Sequence, residues 1–390
     1  MSIFAMIFSL GNVAGNNKIK TLPQGSLLSS QRKSVKAFIN EMTIDGKESR
    51  AFREYIIFRS KRVSAQFIHF RIIFVSGEVD SVSMKTTIFA LVALAASFNT
   101  FAQAGKLKTR MLEVKVGLSV RVSEMLPKGD VKGDILYLHG FGDRLDNHMP
   151  LFKAWTDKGF RVISFDLPSH GESKGLFNNI DLHSFEDIIG FAEKVERFTR
   201  EDDIDGPFML AGWSTGGLLA VRAAQKEAFA ERGVEGVILF APAVSVPALV
   251  GRKGFLTQES LTSNPNPPHM GEITPKSPLL KPIFSGRLLV NAAAANKSLP
   301  HDLPVITIVA GETEDLYVNT PKVKEWAVEQ RLNARFMRPA YQCKSAFHEL
   351  DNEPGLVGQN VRDLAVEFAQ AIASGQDTFK SKVSGPCKSF

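Results

Sequence analysis

From residue 105 onward the sequence predicts an α/β fold, a mostly parallel sheet covered by helices on both faces. Two observations carry that class. Short apolar runs of strand type recur between longer amphipathic stretches of helix type. The segments richest in Gly, Ser, His and Asp fall directly after those runs. Strand and helix patterns in alternation call for parallel pairing through crossover helices, and such sheets carry their chemistry at the carboxyl ends of the strands.

In chain order, "MLEVKV" and "LSVRVSEML" form an antiparallel start, followed by "DILYLHG" and "FRVISFDLP". "HSFEDIIGFAEKVERFTRE" is an amphipathic helix, "PFMLAGWS" a buried strand and "TGGLLAVRAAQKEAFAER" the helix that follows it. "VEGVILFAP", "LPVITIVAG" and "ARFMRPAYQ" complete the strands. The 286 residues from Gly105 suffice for one large domain with a sizeable core, residues 105–390. Between "VILFAPAV" and "LPVITIVAG" nearly sixty residues fit no strand, and a cap over about 245–303 is expected there. Leu249, Phe255, Leu256, Leu280, Ile283 and Phe284 of that segment would line an acyl pocket or hold the cap together.

"MKTTIFALVALAASFNTFAQAGK" begins at Met84 with a positive start, an apolar run from Ile88 to Phe98, and Ala102-Gln103-Ala104. That order is the signature of a secretory signal peptide over residues 84–104, cleaved before Gly105. The apolar run is about half the ~20 residues of a membrane-spanning helix. Residues 1–83 are then expected to be an extension beyond the biological start. They hold 12 of the 47 basic and 6 of the 41 acidic residues, so the whole +6 net charge resides in them and the remainder is neutral. A basic pI of that origin is no argument for nucleic-acid binding.

"AGWSTGG" places Gly212-Trp213-Ser214-Thr215-Gly216 between a strand and a helix. A sharp strand-to-helix turn needs tiny residues two before and two after the serine, and it lifts the serine Oγ to a helix N-terminus that favours an oxyanion. A serine nucleophile needs a base, and the base an orienting acid, in the chain order Ser, acid, His. Of eight histidines only His348, in "SAFHELDNEP", follows the loop after "PVITIVAG" where the acid should lie. That loop offers Glu312, Glu314 and Asp315; Asp315 is the choice, with Glu314 in reserve. The oxyanion donors are expected to be the amides of Thr215 and of Phe141, the latter in "LYLHGFGD". His139 and His170 are expected to be structural.

Together "LYLHGFGD", "FDLPSHGESKG", "GWSTGG", "AGETEDLYV" and "FHELDNE" resemble the α/β-hydrolase superfamily. Within it they are similar to the monoacylglycerol lipase and lysophospholipase-like group, also described as serine aminopeptidase-like. The resemblance covers about residues 110 to 375. It implies an eight-stranded sheet with a cap insertion, a Ser214–Asp315–His348 triad, and Phe141 and Thr215 as the oxyanion hole. One departure stands in the acid loop: the family's aspartate usually falls three residues after the glycine, where Glu314 stands here, and Asp315 follows it.

The expected chemistry is acyl transfer to Ser214 and then to water, with no cofactor and no metal. The substrate is a small-molecule or lipid ester, with transient contact at a membrane surface, no nucleic acid and no obligate protein partner. A peptidase or amidase of the same fold, and a non-catalytic binding protein, remain as alternatives. Cys343 and Cys387, the only cysteines, lie beyond the cleavage site and would meet an oxidising periplasmic or extracellular compartment. A bond between them would pin the polar tail beside the loop of His348.

Overall fold

Buried strands explain most of the architecture. The computed structural model describes residues 53–63, 67–78, 107–200, 206–226, 229, 231, 233–244, 261–267 and 281–390. The chain divides into two units, residues 1–99 and 100–390. In the first, β1 (Arg53–Val63) and β2 (Phe67–Glu78) pair antiparallel, with Phe58 opposite Ile72. These are the apolar clusters "YIIFRS" and "FIHFRIIFVSG", rich in the β-branched and aromatic residues that favour strands. The signal segment 84–104 lies outside the described residues, as does the rest of 1–83.

The second unit holds β3 (Leu107–Lys115), β4 (Leu118–Met125), β5 (Gly133–Leu138), β6 (Phe160–Phe165), β7 (Phe208–Trp213), β8 (Val234–Phe240), β9 (Val305–Val309), β10 (Ala340–Cys343) and β11 (Cys387–Ser389). They form one open sheet in the order β3-β4-β6-β5-β7-β8-β9-β10-β11. The pairs from β6 through β5 to β10 are parallel, while β3–β4, β4–β6 and β10–β11 are antiparallel. All eight expected strands are present, and the three-residue β11 makes a ninth. The regular ladder of "ARFMRPAYQ" begins at Ala340: the Met337 and Pro339 carbonyls accept from the Val305 and Thr307 amides, but Pro339 offers no N–H in return.

Helices cover both faces. On one lie α2 (Phe185–Thr199), α3 (Thr215–Ala224), α4 (Pro282–Ala294) and α5 (Thr320–Leu332); on the other, α1 (Met149–Thr156) and α6 (Gly355–Ala373). Strand residues divide between the two cores with the period of two that a pleat imposes: Leu136, Leu138 and Leu210 face the first group, Ile135, Tyr137, Met209 and Ala211 the second. The start of α2 is set by a capping box, Ser184 accepting from the Asp187 amide while the Asp187 carboxylate accepts from the Ser184 amide.

Sequence order and sheet order part company at β5. The chain leaves β5 for β6 on one side, then returns to β7 on the other. At such a switch the loops leaving the two strands diverge and open a crevice at their carboxyl ends. His139–Phe141 follow β5 and Ser214 follows β7, so both flank that crevice.

Candidate active site

Ser214 sits at the turn between β7 and α3 with φ 54° and ψ −117°, a left-handed conformation that a non-glycine residue adopts only when its surroundings force it. The forcing is visible in the flanking glycines. A Cβ on Gly212 would come within 2.3 Å of the Gly216 carbonyl oxygen, and one on Gly216 within 1.9 Å of the Leu138 oxygen. The turn is tied down from the next strand, the Ser214 amide donating to the Phe240 carbonyl at 2.9 Å and the Ala243 amide to the Ser214 carbonyl at 2.9 Å.

His348 brings its Nε2 to 2.8 Å from Ser214 Oγ, and its Nδ1 to 2.9 Å from Asp315 Oδ2. A carboxylate only accepts, so Nδ1 carries the proton and donates to Asp315, leaving Nε2 to accept from the serine hydroxyl. Asp315 Oδ1 accepts from the amides of Tyr317 and Val318, both at 2.9 Å, which fixes the carboxylate from the side away from the ring. All three residues are buried. Glu314 is turned elsewhere, its Oε2 standing 1.9 Å from where a Gly311 Cβ would be. The usual family position therefore holds a carboxylate folded back over its own loop, and the following residue reaches the imidazole.

Gly140 brings the β5 turn against Ser214: a Cβ there would lie 2.5 Å from the Trp213 ring and 3.3 Å from Ser214 Cβ. Phe141 is next in that turn. Thr215 opens α3, so its N–H has no acceptor within the helix. Two neutral histidines hold the turn in shape. His139 Nδ1 donates to the Gly140 carbonyl at 2.8 Å while its Nε2 accepts from the Leu167 amide at 3.0 Å. His170 Nδ1 donates to Pro168 O at 2.8 Å and its Nε2 accepts from the Gly142 amide at 2.9 Å. Each needs an unprotonated nitrogen, and burial supplies it, lowering His139 and pushing His170 down to about 3.

Of the cap residues, Leu249, Phe255, Leu256 and Leu280 lie outside the described residues. Ile283 and Phe284 open α4 and diverge around it. Ile283 is 54% exposed, whereas Phe284 is buried, its ring stacked at 5.2 Å on Phe141 and at 5.5 Å on Phe185. Phe284 belongs to the core and backs the turn of Phe141 instead of offering an open acyl surface.

The sequence reading missed a second buried cluster next to the hydrogen-bonded line of Ser214, His348 and Asp315. Asp143, His148 and Glu349 bring ligand atoms within 4.8 Å of one another, a spacing that could hold a metal ion. Both nitrogens of His148 already face carboxylates, Asp143 at 2.7 Å and Asp351 at 2.8 Å, which leaves the ring no free lone pair for a metal. The signal lay in "DRLDNH" and "HELDNE", two acidic segments after strands β5 and β10.

A family model described as serine aminopeptidase, S33 (Hydrolase_4), matches residues 129–311. Many solved structures share the fold, two lipases among them. One is a lipase in its open form, 16% identical with a TM-score of 0.54, covering 69% of this chain and 99% of that one. The other is a soluble variant of the Saccharomyces cerevisiae monoglyceride lipase bound to a substrate analogue, 16% identical with a TM-score of 0.51, covering 68% and 97%. Among curated proteins, one of Haemophilus influenzae assigned as a 2-succinyl-6-hydroxy-2,4-cyclohexadiene-1-carboxylate synthase is 29% identical over 107 residues. That match takes in 27% of this chain and 39% of the relative's length. The chain has the α/β-hydrolase fold, with an open, mostly parallel sheet. Over residues 129–311 it is similar to the serine aminopeptidase family, and its fold is similar to that of the two lipases.

Proposed function

We propose that the protein is a serine hydrolase of carboxylic esters, with an apolar, lipid-like acyl group such as that of a monoacylglycerol or lysophospholipid. The observation that carries this reading is the hydrogen-bonded line from Ser214 Oγ through His348 to Asp315 at a strained strand-to-helix turn. His348 takes the hydroxyl proton as Ser214 attacks the ester carbonyl. The imidazolium then forms beside the Asp315 carboxylate, and the amides of Phe141 and Thr215 face the oxyanion. His348 returns the proton to the leaving alcohol, and water repeats the sequence on the acyl-enzyme. Asp315 is the orienting acid, because it, and not Glu314, bonds His348 Nδ1. Lipid-like substrates fit the apolar character of the expected cap, "LVGRKGFL" and "SPLLKPIF".

Export belongs to the same proposal. A signal peptide from Met84 would carry the domain to an oxidising compartment, and the Cys343–Cys387 disulfide is in keeping with that destination.

The discriminating experiment is a substrate screen of the purified protein, acyl esters of graded chain length beside aminoacyl and peptidyl amides, with Ser214→Ala as control. Ester turnover that rises with acyl length and vanishes in Ser214→Ala is the expected result. Faster turnover of the amides would assign a peptidase or amidase instead.

A further inference from the structure

Behind the triad lies a buried histidine with no part in the proton transfers. His148 ends the short turn of residues 145–148, directly before α1, and is fully enclosed. Its Nε2 lies 2.7 Å from Asp143 Oδ2, and its Nδ1 lies 2.8 Å from Asp351 Oδ2, a residue 203 positions away in sequence. Asp143 stands two residues after Phe141, and Asp351 three residues after His348. The two carboxylates therefore belong to the segments that carry the oxyanion donor and the base.

Other contacts run along the same seam. Asn352 Nδ2 donates to the Asn147 carbonyl at 2.8 Å and to Glu349 Oε1 at 2.7 Å. Trp213, the residue before the nucleophile, places its ring between the two histidines, 5.5 Å from His148 and 5.1 Å from His348. Its Nε1 donates to the His348 carbonyl at 2.7 Å. Nucleophile turn, base loop and oxyanion segment thus converge on one buried ring.

We propose that His148 is a positioning residue of the same reaction: held between Asp143 and Asp351, it keeps the segment bearing Phe141 in register with the loop bearing His348. The proposal rests on the serine-hydrolase reading above. Carboxylates at both nitrogens require both to donate, so the ring is an imidazolium. Burial opposes that charge, but Asp351 and Asp143 together hold the His148 pKa well above its ordinary value. Asp143 in turn is drawn down to about 2; burial works against ionisation there, and the His148 charge outweighs it. A neutral side chain at 148 would leave two buried carboxylates facing each other, and the segments would move apart. His148 touches no reacting atom, so such a shift would misplace the base against the oxyanion donors without altering the residues that hold the substrate.

His148→Gln, Asp351→Asn and the double variant are compared with the wild type on the ester that the screen selects. Each single variant is expected to lower kcat about 10- to 100-fold with KM held within about threefold, as for a small misplacement of reacting groups. The double variant should be no worse than the weaker single, because the two changes break one linkage. A folded variant with wild-type kcat, an effect on KM alone, or losses that multiply in the double variant would overturn the proposal. Should His148→Gln fail to fold, Asp351→Asn keeps the shape and carries the same test. An independent reading uses the unaltered protein labelled with nitrogen-15 in histidine. One histidine is expected to show protons on both nitrogens at pH 8 by NMR; only singly protonated rings at that pH would contradict the imidazolium. If Ser214→Ala stays active, the serine-hydrolase reading itself fails. If it is dead while His148→Gln retains full kcat, only the brace does.

Discussion

At the scale of single residues, the site turns on which carboxylate meets His348. Asp315 does so while two backbone amides hold its second oxygen, and Glu314 points back over Gly311. Asp315→Asn should therefore reduce kcat by about 10^4-fold, since an amide in that place favours the wrong tautomer of the base. Glu314→Gln should leave kcat near the wild-type value. Steady-state kinetics of the pair decide the matter, and a larger loss from Glu314→Gln would move the acid to the family's usual position. His170 gives a prediction of a different kind. Its folded pKa lies at about 3, below the ordinary 6.5, so between those values the unfolded chain binds a proton that the folded one refuses. Its contribution to stability is lost as pH falls from about 6.5 towards 3, at up to about 1.4 kcal/mol per pH unit. His139 is shifted in the same direction. Urea midpoints at pH 7 and pH 5 should show the decline, and His170→Asn should make it shallower; an unchanged slope would mean that His170 is charged in the fold.

The elements show how far local pattern reaches. Gly216 is confined by the Leu138 carbonyl and Gly212 by the Gly216 carbonyl, so an alanine at either position must displace backbone. Either substitution should cost several kcal/mol in chemical unfolding or prevent folding, within the range of overpacked and strained sites. Ser184→Ala removes one half of the α2 capping box and should cost about 1 kcal/mol while kcat is preserved. A loss of activity from that change would tie α2 to catalysis in a way the contacts do not indicate. Strands β4 to β10 were legible because their residues are largely buried, the mostly exposed β3 from its apolar run "MLEVKV", and Ser214 and His348 because strand ends and chain order single them out. Asp315 was chosen over Glu314 from its apolar followers, Leu316-Tyr317-Val318, while the way each side chain leaves its loop is visible only in the fold. Two features were not legible. β11 is short and polar, and becomes a strand only by pairing with β10, Cys387 opposite Cys343. The bond from His148 to Asp351 joins loops that no local pattern relates. Much of the cap lies outside the described residues, so the acyl pocket expected there rests on composition.

For the whole molecule, the same sheet that opens the crevice at β5 also ends in a tethered edge. The Cys343–Cys387 disulfide closes a loop with a sequence separation of 44 and fastens β11 to the strand that leads into the loop of His348. On the chain-entropy estimate this closure stabilises the domain by about 4 kcal/mol. Cys387→Ser should lower the unfolding free energy by that order and expose the segment after Ser374 to limited proteolysis. Equal stability and an equally resistant tail would show that other contacts hold it. The central proposal, that the protein works through an acyl-enzyme on Ser214, is tested most directly by fluorophosphonate labelling followed by peptide mass spectrometry. One adduct per chain, on Ser214, lost in Ser214→Ala and slowed in His348→Ala, is the expected result. Stoichiometric labelling of another residue, or equal labelling of wild type and Ser214→Ala, would contradict it.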